Sequence, residues 1–248
     1  MKNFITIFAI VICCVTSLKA TIKDGYYLQS LWGISESLDS NIQFNRVNQA
    51  DMSFTTAWEG KSLRDAWYYG LKFEKWTNNS FKGIEWLHHK IYMVDPPSEI
   101  EHFSISDGFN ILYFNKGKLT PKDIIKRYGV GFVFAHVDTK FVGEERFYLK
   151  GGIGGSYFSG VSCHYSLEKR LYETTKNFIT MEGKVTLSYA RPPISTDDNE
   201  FAELFNVGFH ILLGFGSKPP ENVSVKEILR YVGLPYIHHM SIYKLDDF

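Results

Sequence analysis

Cysteine is scarce in this chain. There are three in 248 residues, two of them, Cys13 and Cys14, inside the first twenty. That count excludes a disulfide-stapled scaffold. Net charge is missing as well: 27 Lys+Arg stand against 27 Asp+Glu, with a pI near 7.1. The strongly basic footprint of a nucleic-acid-binding domain is therefore absent, and no nucleic-acid partner is expected. No G-x-G-x-x-G fingerprint joins a strand to a helix, which argues against a dinucleotide site. Nor does any apolar run after the N-terminus reach the roughly 20 residues of a helical membrane span. What the chain has in abundance is aromatic side chains: 20 Phe, 15 Tyr and 5 Trp, 16% of the sequence. So many large rings exclude disorder.

Residues 1–20, MKNFITIFAIVICCVTSLKA, read as a secretory leader. Lys2 supplies the positive end, Phe4 to Val15 the apolar core, and Ser17 and Ala20 the small residues before cleavage. Loss of Lys2 and Lys19 leaves the mature chain at −2, with Cys163 its only thiol.

From there period-2 alternation organises the chain. In Phe178–Tyr189, Ile179, Met181, Val185, Leu187 and Tyr189 share one face; Thr180, Glu182, Lys184, Thr186 and Ser188 share the other. Leu204–Phe215, Trp67–Lys75, Met52–Lys61 and Tyr148–Leu167 repeat the pattern. Further strands are expected at Tyr26–Ile34, Ile84–Met93, Phe103–Asn115 and Tyr128–Thr139, which makes nine. A soluble sandwich or lipocalin-like barrel and a transmembrane barrel give the same alternation. The polar faces favour the membrane form, because they mix paired charges (Lys72, Glu74, Lys90, Lys150, Glu182, Lys184) with glycine, serine and threonine. A narrow lumen needs that mixture, while the aromatic faces suit a lipid girdle. Membrane barrels of one chain take even strand numbers. The expectation is therefore an all-β, antiparallel, up-and-down transmembrane β-barrel of 8 to 10 strands over residues 21–216. Residues 217–248 would form a short C-terminal extension with a helix over Ser224–Val232.

Several short stretches match a known family: TAWEGKS (Thr56–Ser62), YYGLKFEKW (Tyr68–Trp76), WLHHKIY (Trp86–Tyr92), SDGFN (Ser106–Asn110), AHVD (Ala135–Asp138), MEGK (Met181–Lys184) and FNVGF (Phe205–Phe209). In that order, over roughly residues 26–216, they resemble the bacterial outer-membrane lipid A oxidases. His88, Lys90 and Tyr92 fit the family's His-x-Lys-x-Tyr, Asp107 and Asn110 its Asp-Gly-x-Asn, and Glu182 and Lys184 the ends of its Glu-Tyr-Lys. His136 matches the His of its Pro-His-Val-Glu, with Ala135 and Asp138 replacing the Pro and Glu; Gly183 replaces the family's Tyr.

The resemblance implies a bacterial outer-membrane location, lipid A of lipopolysaccharide as partner, and dioxygen-dependent oxidation of its proximal glucosamine to 2-aminogluconate. It makes His88, His136, Glu182, Lys184, Asp107 and Asn110 catalytic candidates, and Lys72, Lys90 and Tyr92 substrate-binding ones. Removing hydride equivalents from a sugar carbon calls for a metal, an organic cofactor or a modified side chain. A divalent metal such as iron is the leading expectation, held by His88, His136 and either Asp138 or Glu182 in a two-His-one-carboxylate set. The competing reading is that His88, Lys90, Glu182 and Lys184 neutralise one another inside the barrel. His89 falls on the lipid side, His164 and His210 on the polar face. Asp107 is out of phase, so either the strand bulges at Asp107-Gly108 or this residue lies near the membrane edge. A non-catalytic barrel of this fold and a secreted soluble barrel are the rival functions. The leader reading predicts that N-terminal sequencing of the exported chain begins at Thr21; a start at Met1 would overturn it.

Overall fold

The computed structural model describes residues 22–64, 67–148 and 157–218. The leader, Lys150, the glycines at 151–155 and the Ser224–Val232 helix lie outside the described residues, as does the Asp107 side chain. Twelve strands form: β1 (Gly25–Ser37), β2 (Ser40–Asn45), β3 (Met52–Glu59), β4 (Tyr69–Thr77), β5 (Ser80–Val94), β6 (Ile100–Leu119), β7 (Ile125–Ala135), β8 (Asp138–Phe141), β9 (Phe147–Tyr148), β10 (Tyr157–Glu173), β11 (Asn177–Ala190) and β12 (Phe201–Ser217).

Eight of them close a ring. β1 pairs with β4, and the order runs β4–β5–β6–β7–β10–β11–β12 and back to β1, every pair antiparallel. The other four extend barrel strands past one end: β2 continues β1, β3 precedes β4, and β8 with β9 continues β7. Nine alternating segments therefore make eight barrel strands, because Met52–Lys61 and Trp67–Lys75 are two halves of one strand, interrupted around residues 60–68. The turns at the end that holds both described termini are short. Asn78 and Asn79 join β4 to β5 with φ of 50° and 59°, a left-handed pair that asparagine tolerates. The opposite end carries the longer loops, around residues 46–51, 95–99, 142–146 and 191–200.

The faces are inverted relative to a water-soluble barrel. Val130 is 65% exposed, Leu187 49% and Phe205 56%, all looking outward, while Lys72, Glu182 and Lys184 look inward and are essentially unexposed. Inside, three layers stack. A floor near the termini is made by Tyr27, Trp76, Phe81, Ile125 and Phe178. A cap near the long loops is made by Ile42, Phe44, Trp58, Phe103, Phe109 and Leu204, among others. Between them lie the charges. Lys72 donates to Glu168 at 2.9 Å and to Glu182. Arg127 donates to Glu74 at 2.7 Å and to Glu168 at 3.0 Å, and Lys184 reaches Glu85. Gly129 gives this layer room, since a Cβ there would lie 2.1 Å from Asn115 Oδ1 and 2.6 Å from His164 Nε2. A closed ring leaves no strand edge unpaired, and an apolar belt around a paired polar filling is what a bilayer-spanning barrel requires.

Two substitutions test this polarity by urea titration of the folded barrel in vesicles. Val185→Arg, in the middle of the outward run of β11, should destabilise by about 2–4 kcal/mol. Lys184→Met leaves Glu85 buried without its cation and should cost about 3–5 kcal/mol. A neutral Val185→Arg would overturn the outward assignment.

Candidate functional site

The candidate site lies on the outward wall, where the apolar belt stops. Cross-strand rows locate it. Leu71, Trp86, Leu112 and Phe132 form one outward row across β4–β5–β6–β7, all apolar. The next row toward the long loops is Tyr69, His88, Asn110 and Phe134. Two polar side chains thus sit between two aromatic ones, and both are buried, at 4% exposure. His88 Nδ1 meets Asn110 Oδ1 at 2.7 Å, and the imidazole stacks on Tyr69 with ring centres 4.9 Å apart. With the amide oxygen accepting, Nδ1 carries the proton and Nε2 is the basic atom of the ring.

The backbone beside this pair is irregular. The β5–β6 register moves from His89↔Phe109 to Ile91↔Ile105, so residues 106–108 of β6 oppose Lys90 alone. This is the bulge the Asp107-Gly108 phase required. Gly108 has φ of 141°, and a Cβ there would stand 1.9 Å from Asn110 Nδ2, so only glycine lets the Asn110 amide take its position. The Gly108 carbonyl accepts from the His136 amide at 2.9 Å. That ties the end of β7 to the bulge and places the His136 ring against Tyr148, centres 4.6 Å apart.

The remaining candidates separate. Lys72, Glu182 and Lys184 belong to the interior charge layer, where Glu182 and Lys184 neutralise each other and their neighbours; His88 and Lys90 take no part in it. Lys90 instead donates to the Arg64 carbonyl at 2.8 Å, with its ammonium 6.0 Å from the Tyr92 ring. His89 is corrected: it faces inward, 3.2 Å from Ser35 Oγ and edge-on to His210 at 5.0 Å. Ile84 and Trp86 are both outward and Glu85 is fully buried inside, which fixes that phase. His210 is held by Tyr68 and Thr186, each at 2.9 Å, and His164 by Asn115 at 2.8 Å. Asp138 is engaged by Arg146, Nε to Oδ1 at 2.6 Å with a second bond to Oδ2, and by His102 at 3.4 Å. The ligand set of His88, His136 and Asp138 therefore does not assemble. Among the described residues no three His, Cys, Asp or Glu side chains are grouped to hold a metal.

No family model and no curated protein matches the chain. Among solved structures it is similar to three outer-membrane proteins. Neisserial surface protein A is 9% identical, over 75% of this chain and 96% of that one, with a TM-score of 0.34. OprG of Pseudomonas aeruginosa is 10% identical over 79% and 98%, at 0.38. AlkL, determined in lipid bilayers, is 7% identical over 84% and 98%, at 0.45.

Beyond the belt, the Asp138 contacts make a pH prediction. Burial pushes this carboxyl up, but hydrogen bonds from His102 and Arg146 and their charges outweigh it and hold it at about 2. A lowered value means that the contact stabilises the β8–β9 hairpin above the ordinary value of about 4, and that this stability is lost as pH falls toward about 2. Hydrogen-exchange protection of the hairpin amides, taken relative to their intrinsic exchange rates at each pH, should fall across that window, and Arg146→Ala should abolish the transition. Protection that is unchanged between pH 4 and 2 would refute the contact.

Proposed function

We propose that this chain is an outer-membrane, lipid A-modifying oxidase that converts the proximal glucosamine to 2-aminogluconate with dioxygen. The observation that carries the reading is where His88 and Asn110 sit. They are residues of the family resemblance, paired, backed by the Gly108 bulge, and placed on the lipid-facing wall at the edge of the apolar belt. A lipid whose acyl chains lie along that belt presents its sugar at this height. Termini and short turns at the other end set this edge toward the outer leaflet, where long loops project in barrels of this kind. Each residue is covered by protein to 4% exposure, and a polar pair buried this close to hydrocarbon is tolerable because its members are hydrogen-bonded to each other. Transport through the lumen is disfavoured, because cap, charge layer and floor fill it.

In this reading the substrate is lipid A whose proximal glucosamine bears no phosphate on C1; Asn110 fixes the tautomer of His88, and His88 Nε2 takes the proton of the free C1 hydroxyl. C1 loses that proton and two electrons with its hydrogen, giving a lactone. Dioxygen gains two electrons and two protons as hydrogen peroxide, and water opens the lactone to the acid. Moving the electrons calls for a redox group that His88 and Asn110 do not themselves provide.

Mass spectrometry of lipid A from cells with and without the chain tests the proposal. An oxygen-dependent gain of one oxygen atom on the proximal sugar is expected. His88→Ala should abolish it, with heat-modifiable folding kept. Lipid A of unchanged mass would leave the non-catalytic barrel as the reading.

A further inference from the structure

At the end of the barrel that holds the termini, the outward wall changes character within one row. Phe73, Ile84, Phe114 and Val130 lie opposite one another across β4–β5–β6–β7. Two residues nearer the turns, the partners are Lys75↔Lys82 and Lys82↔Lys116, flanked by Tyr26 on β1 and Tyr128 on β7. One further row brings Lys118↔Lys126. All five lysines are exposed and look outward, since Glu74, Trp76, Phe81 and Arg127 beside them point in. None of the five forms an ion pair among the described residues, although the interior of the same barrel pairs its charges throughout. Lys75 has its ammonium 5.5 Å from the Tyr26 ring.

Like charges directly opposite on a sheet destabilise it. Three in one unbroken row, with two more below, are a local strain that an anion relieves. The apolar row immediately above decides what kind of anion. A free ion or a nucleic acid has no use for Phe73, Ile84 and Phe114, whereas an amphiphile uses both rows at once. Tyrosines at the boundary are where an aromatic girdle meets headgroups, and lysine is suited to phosphate as a flexible point charge.

We propose that Lys75, Lys82, Lys116, Lys118 and Lys126 form a binding site for an anionic glycerophospholipid of the leaflet at the termini end, its phosphate on the lysines and its chains on the Phe73–Ile84–Phe114 row. The inference rests on the membrane-spanning reading, and is independent of the oxidase. It assigns the barrel a preferred annular lipid on one face.

The test is electron spin resonance on the full mature chain refolded into phosphatidylcholine vesicles that carry a trace of spin-labelled phosphatidylglycerol or spin-labelled phosphatidylcholine. The motionally restricted fraction should favour phosphatidylglycerol by about fivefold or more at low salt, the factor expected of one such basic contact. Glutamine at all five positions (K75Q/K82Q/K116Q/K118Q/K126Q) should bring that ratio to about one, and should not weaken the fold, because it removes repulsion. Lys61→Gln/Lys140→Gln, at the opposite end, should leave the ratio intact. An inserted wild-type barrel without preference, a five-site variant that keeps it, or equal loss of preference on adding millimolar inorganic phosphate would each overturn the proposal. A chain that does not insert into either vesicle, judged by heat-modifiability, would overturn the membrane reading and this proposal with it.

Discussion

The charge layer is the constraint on which this barrel depends. Four carboxylates, Glu74, Glu85, Glu168 and Glu182, and three cations, Lys72, Arg127 and Lys184, share an interior closed to water. A buried charge is tolerable only with partners. Here the hydrogen-bonded partners come from other strands, beside the Glu182–Lys184 contact within β11: Lys72 of β4 bonds Glu168 of β10 and Glu182 of β11, and Lys184 of β11 bonds Glu85 of β5. The layer therefore fixes register and inward phase across the ring, because a one-residue slip would turn a charge into the belt. The glycines and small polar residues around it follow from the space it needs.

With the filling settled inside, the outer wall is free to carry chemistry at its two rims. Toward the long loops the belt ends in an imidazole–amide pair framed by Tyr69 and Phe134. Toward the termini it ends in lysine. A wall with such unlike borders matches a bilayer with unlike leaflets.

Alternation along β11 and β12 was legible residue by residue, since between Phe178 and Gly216 each outward position is apolar, or Gly183 and Glu203, and each inward one is polar or small except Leu212 and the positions near the cap and floor. The strand count went astray only where β3 and β4 form one interrupted strand. A break of backbone pairing and a turn between strands look alike in sequence. The bulge at Asp107-Gly108 was visible as a charge in the wrong phase. The inward side of β5 was misassigned because His88 and His89 are the same residue type on opposite faces; Glu85, set between outward Ile84 and Trp86, was the cue that decides between them. The commitment of Asp138 to Arg146 was not legible, because it depends on a hairpin returning eight residues later. The resemblance joined the interior Glu182–Lys184 pair and the wall pair His88–Asn110 into one site, which the closed sheet divides.

The span between partners in the charge layer has a consequence for assembly. Lys72 finds Glu182 across 110 positions of chain, and Lys184 finds Glu85 across 99. Any early hairpin, β4 with β5 for instance, carries Lys72, Glu74 and Glu85 with their cross-barrel counterions still unmade. No hairpin can enter hydrocarbon alone without dragging bare charge along. The hairpins must therefore meet at the surface, match acid to base there, and cross as a nearly closed body, so that the last hydrogen bonds between β1 and β12 seal a cargo of ions already neutralised.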